Sequence, residues 1–128
     1  MKSKLLTIIL FALSIPFLHA QSGLSKAEFT SLIGGKWKLA EALTDGMKMP
    51  SSEMDMTIMS FESNGTYEMR EQGESHHGKW SFNVATQELA TDEGEEKAKH
   101  KVLKLTKTLL MIETKDPNET LTMTFSRL

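Results

Sequence analysis

The strongest constraint on this chain is an alternation of apolar and hydroxylated residues with period two. In the last segment Leu121, Met123 and Phe125 alternate with Thr120, Thr122, Thr124 and Ser126. That pattern gives one apolar and one polar face, as a half-buried antiparallel strand requires. Seven earlier segments repeat it more weakly, at 36–43, 56–62, 66–71, 78–83, 87–92, 99–105 and 109–115. The links between them are short and rich in turn residues. Ser63-Asn64-Gly65-Thr66 carries an Asn-Gly pair that accepts positive φ at both turn positions. Gln72-Gly73-Glu74, Asp92-Glu93-Gly94-Glu95-Glu96 and Asp116-Pro117-Asn118 are polar turn clusters. Short links select antiparallel neighbours, because a parallel crossover needs about a dozen residues or more. Eight such strands form a meander, and closing it removes the exposed edges. The predicted fold is therefore all-β: an eight-stranded antiparallel up-and-down barrel with a short N-terminal helix.

The helix is expected over 25–33. Ser25-Lys26-Ala27-Glu28 has the spacing of a capping box, and Gly34-Gly35 follows as a stop. Phe29, Leu32 and Ile33 would then plug one barrel end. Ahead of the helix, Lys2 and Lys4 precede an apolar run from Leu5 to Leu18, and Leu18-His19-Ala20 offers a cleavage site before Gln21. Residues 1–20 read as a signal peptide, because the run is shorter than the ~20 residues a membrane-spanning helix needs. No cysteine follows it for lipid attachment, so a periplasmic or secreted protein that does not span the membrane is expected. The remaining residues 21–128 make one domain.

The chain has no cysteine and a net charge of −2. Disulfides and thiol chemistry are excluded, and a mildly acidic chain without a basic patch is a poor nucleic-acid binder. No nucleophile elbow, zinc-protease helix or phosphate-cradling glycine loop occurs, and no cofactor is expected. Asn64-Gly65-Thr66 and Asn118-Glu119-Thr120 match a glycosylation pattern but read as turn chemistry.

Gly35-Lys36-Trp37 at the start of the first strand resembles the Gly-x-Trp signature of lipocalins and their relatives. Phe61-Glu62-Ser63-Asn64-Gly65-Thr66-Tyr67 is similar to the hairpin of the lipocalin-like domains of small exported bacterial (Bacteroidetes-type) proteins, and Gly78-Lys79-Trp80-Ser81 to the strand that follows it. The resemblance spans roughly residues 33–128. It implies that Trp37 closes the barrel bottom with Arg127 packed across it, Gly35 completing this structural closure. It also implies a binding role.

Strand parity places Trp37, Leu39, Glu41 and Leu43 on one side of the first strand, opposite Lys36, Lys38, Ala40 and Ala42. Met59 and Phe61 pair with Tyr67 and Met69 across the Asn-Gly turn, and Trp80 and Phe82 continue the set. Later strands add Leu89, Leu110, Ile112, Leu121, Met123 and Phe125. Val102 and Leu103 fall on opposite faces, which suggests a bulge. An eight-stranded barrel is filled by side chains or holds one small ligand, so a mostly filled core and a shallow pocket away from Trp37 and Arg127 are both open. Thr44–Asp55 is long enough for a lid.

The candidate ligand-binding set is Leu39, Glu41, Met47, Met49, Met59, Phe61, Tyr67, Met69, Glu71, Trp80, Phe82 and Met123. Glu41 and Glu71 fall on apolar faces, where they either orient a polar ligand group or reach water at the barrel mouth. Of the nine methionines, Met47, Met49, Met54, Met56 and Met59 gather in or beside the long loop, and flexible thioethers suit an adaptable apolar surface. The expected function is a non-enzymatic binder of a small apolar or amphipathic ligand. A protein-interaction module of the envelope with a filled barrel is the alternative. A copper carrier using the Met47/Met49 and Met54/Met56 pairs is a minor one. Glu74-x-His76 lacks a third zinc ligand, the stretch before Gly78 reads as a solvated turn, and His100, alone among lysines, reads as a surface residue.

Overall fold

In the computed structural model, residues 23–50 and 57–128 are described. The leader 1–20, Met54, Met56 and the middle of the long loop lie outside them.

Helix α1 (Lys26–Ile33) begins on Ser25, whose Oγ accepts the Glu28 N–H at 3.1 Å while the Glu28 carboxylate accepts the Ser25 N–H at 2.9 Å. Those hydrogen bonds hold the Glu28 carboxyl below its ordinary range. The strands follow as β1 (Gly35–Thr44), β2 (Met47–Lys48), β3 (Ile58–Phe61), β4 (Thr66–Glu71), β5 (Glu74–Asn83), β6 (Glu88–Asp92), β7 (Lys97–Leu105), β8 (Leu109–Lys115) and β9 (Thr120–Arg127). From β3 to β9 each strand pairs antiparallel with the next, and β1 pairs with both β3 and β9. The result is a closed eight-stranded barrel of β1 and β3–β9, with β2 as a short arm folded back on β1.

The first half of the expected lid is that arm. Asp45 and Gly46, both at positive φ, turn the chain back so that Thr44 pairs with Met47 and Leu43 with Lys48. Asp45 ties the arm to β9: its N–H donates to the Thr120 carbonyl, and its side chain accepts the Thr120 N–H at 2.9 Å.

One barrel end is closed. Trp37 is fully buried and donates its indole N–H to the Ile33 carbonyl at 2.8 Å. The Arg127 guanidinium lies 4.2 Å from the Trp37 ring centroid and donates to the carbonyls of Leu32, Gly34 and Lys107. A cation over an indole contributes about 0.5–2 kcal/mol. Gly35, at φ 111°, lets the arginine pass, because a Cβ there would lie 2.7 Å from Nη1. Phe29 and Ile33 of α1 are fully buried above this pair, with Leu32 half-buried beside them. Phe29 stacks on Phe82 with centroids 4.0 Å apart and tilts against Trp80.

Two bulges interrupt the alternation: the one in β1 changes the parity read from the sequence, and the one in β7 is the bulge that Val102 and Leu103 suggest. In β1 the register with β9 slips between Leu39 and Glu41, so Ala42 turns inward and is buried while Glu41 and Leu43 face out. In β7 a bulge between Val102 and Lys104 puts Val102 and Leu105 inside and leaves Leu103 exposed. β5 also starts earlier than expected. The two-residue turn Gln72-Gly73 lets Glu71 pair with Glu74, so residues 74–77 are strand and not a solvated turn.

Candidate functional site

The barrel interior is divided. The half nearest α1 is filled by Trp37, Phe29, Phe61, Trp80, Phe82 and Leu89, all buried. Phe61 stacks against Tyr67 and meets Trp80 edge-on. The opposite half holds a cavity of about 370 Å³, at the small end of the roughly 300–1,000 Å³ range of ligand sites.

Thioethers and aliphatic groups form most of its wall: Met49, Met59, Met69 and Met123, with Leu39, Leu121, Ile112 and Phe125. Met59 and Met69 are paired in register on β3 and β4, and Met123 sits opposite both Ala42 and Ile112. Unbranched side chains of this kind can repack around a guest.

Seven candidate residues therefore line one space: Leu39, Met49, Met59, Tyr67, Met69, Glu71 and Met123. Phe61, Trp80 and Phe82 do not line it, because the Phe29 plug draws them into the filled half. Trp80 is further held by donating its indole N–H to the Glu62 carbonyl at 2.8 Å. Glu41, turned out by the bulge, faces Lys48 at 3.5 Å. Met47 is 74% exposed on the β2 arm. Glu71 is exposed at the end of β4, where it reaches water at the mouth.

Beyond Tyr67 and Glu71, the wall has polar members that were not picked out from the sequence. His100 points inward and lines the cavity, against the surface position expected for it. Its Nδ1 lies 2.6 Å from Thr114 Oγ1 and its Nε2 3.3 Å from Thr91 Oγ1. Burial lowers its pKa from the ordinary value of 6.5, so the neutral imidazole is favoured. The signal was present: Lys97, Lys99 and Lys101 face out, so alternation sends Ala98, His100 and Val102 in.

Glu93 and Glu96, read as part of a polar turn, also line the space. Tyr67 donates its phenolic O–H to Glu93 Oε2. Burial, then this bond, raises the phenol well above its usual pKa of 10. The other Glu93 oxygen lies 3.7 Å from His76 Nδ1. Gly78, opposite Tyr67 in register, makes the approach feasible: a Cβ there would collide with the Asp92 carbonyl and lie 2.9 Å from Tyr67 Cε1.

Among the described residues, no group of three or more His, Cys, Asp or Glu is arranged to hold a metal ion. No described helix is long and apolar enough to cross a membrane.

Neither the family models nor the curated proteins contain a match to this chain. Among solved structures, it is similar to a lipocalin-like protein from Bacteroides uniformis, with a TM-score of 0.57 and 18% identity over 75% of this chain and 98% of that one. At that identity the likeness establishes the fold. The molecule is a lipocalin-like barrel, closed at the Trp37 end and hollow at the other.

Proposed function

We propose that this protein is an exported, non-enzymatic binder of a small apolar or amphipathic ligand, held in the open half of the barrel beside segment 44–50, whose Met49 lines the space. The observation that carries the reading is the methionine-walled cavity of about 370 Å³ beside a filled half of the same barrel. The wall is pliant and apolar, with a few polar groups at one side, the usual composition of a small-molecule site. The leader pattern at residues 1–20 supports export to a periplasm or the cell exterior, with 21–128 as the mature domain. The competing reading, a filled barrel acting as an envelope docking module, has less support. Among the described residues, the exposed large apolar side chains are Met47, Val84, Leu103 and Leu128. These are spread over both ends and the wall and do not gather into one patch.

The test is titration of the mature protein with a neutral apolar dye, alongside native mass spectrometry for co-purified ligand. Dye fluorescence should rise saturably, and Met123→Trp, which intrudes on the space, should abolish the rise while far-ultraviolet circular dichroism keeps the native signature. No dye uptake and no bound ligand in the parent protein would overturn the reading.

A further inference from the structure

The charge distribution around this cavity is one-sided. Among the described residues, Glu71, Glu93 and Glu96 line it, and no lysine or arginine does. Its one imidazole, His100, is held between two threonine hydroxyls. The nearby cations are engaged elsewhere: Lys48 faces Glu41 at 3.5 Å, Lys97 faces Asp92 at 4.0 Å, and Lys115 faces Glu113 at 3.8 Å. Within 4 Å, Glu71 and Glu96 have no basic partner among the described residues, and Glu93 has only His76.

The connections reinforce this asymmetry. Glu71-Gln72-Gly73-Glu74, Asp92-Glu93-Gly94-Glu95-Glu96 and Asp116-Pro117-Asn118-Glu119 all sit at the hollow end. At the closed end, 62–65 carries only Glu62, 84–87 has no charge and 106–108 has only Lys107. A guest whose apolar body fills the methionine wall must present its head to these carboxylates. Low-dielectric walls strengthen that field relative to an open surface. A carboxylate head would meet like charge with no compensating cation. An ammonium head would be attracted and could donate hydrogen bonds to free carboxylate oxygens.

We infer that this cavity selects amphiphiles with a cationic head, alkyl or aryl amines, over carboxylates of the same chain length. The inference rests on the binder reading above and adds the ligand's charge class. It does not rest on the acidic rim alone, because the apolar cavity beneath the carboxylates supplies the site and the rim supplies the discrimination.

The experiment is displacement of the neutral dye from the mature protein by decylamine, decanol and decanoate, each below its aggregation limit. The amine should displace at about one-tenth the concentration of the carboxylate or less, with the alcohol between them and the gap narrowing as salt rises. In a Glu71→Gln, Glu96→Gln double variant, which keeps the Tyr67–Glu93 bond, the three should converge. Equal displacement by all three in the parent protein would overturn the charge preference and leave the binder reading standing. Direct calorimetric titration of Met123→Trp with decylamine should show no binding; amine binding that persists there would place it on the outer acidic surface and also overturn the preference. Displacement by none of them would overturn the charge preference, and no dye uptake by the parent protein would overturn both.

Discussion

His100 brings a titratable ring into the barrel wall, and this couples stability to pH in a definite direction. Burial lowers its folded-state pKa below the ordinary 6.5. Above about pH 6.5 both folded and unfolded chains carry the neutral ring, and the residue adds no pH dependence. Below that pH the unfolded chain takes up a proton that the folded chain resists, so stability falls as pH drops. The slope from one such group is at most about 1.4 kcal/mol per pH unit. His100→Gln keeps a group able to bond Thr91 and Thr114 but removes the titration. Thermal melts at about pH 7.5 and about pH 5.5 should show a smaller acid-induced loss in the variant than in the parent. Equal losses would mean that the imidazole is protonated as readily inside the barrel as outside it.

At the level of elements, patterning foretold β4 and β8 residue for residue, and most other strands to within a few positions, because turn chemistry and alternation agree there. The bulges separate what was legible from what was not. Val102 next to Leu103 announces an irregularity, since two adjacent apolar residues cannot share a face. The bulge at Ala40 leaves no such mark, because Glu41, Ala42 and Leu43 fit either parity. Only pairing with β9 decides it. One inserted residue thus took Glu41 out of the candidate site and put Ala42 in. His100 went unrecognised for the opposite reason: its lysine neighbours made it look exposed, although their alternation was what turned it inward. Phe61, Trp80 and Phe82 were assigned the correct face but the wrong half, since alternation specifies a side of the sheet and not a height along the barrel. Gly78 tests how tightly β4, β5 and β6 are set against one another. Gly78→Ala must displace the Asp92 backbone or the Tyr67 ring, at a cost of roughly 1–3 kcal/mol. Chemical denaturation should report that loss, and an unchanged midpoint would show that the β6–β7 turn yields freely.

Across the whole molecule, the two ends divide the work. The closed end concentrates the contacts that hold the barrel shut: the β1–β9 pairing that sets Trp37 opposite Arg127, the guanidinium over the indole and the α1 aromatic plug. The hollow end has spent its interior on space, and its methionines trade packing specificity for accommodation. Between them lies a layer of buried side chains, Phe61, Trp80, Phe82 and Leu89. Arg127→Lys tests this separation. A lysine keeps the charge but cannot match the planar fork that reaches the carbonyls of Leu32, Gly34 and Lys107. The variant should lose roughly 1–3 kcal/mol of stability, read as a lower melting temperature. Dye affinity, measured well below that temperature, should match the parent protein, because no atom of Arg127 borders the cavity. A fall in affinity alongside stability would show that the aromatic layer transmits strain, and the barrel would then bind as one cooperative unit.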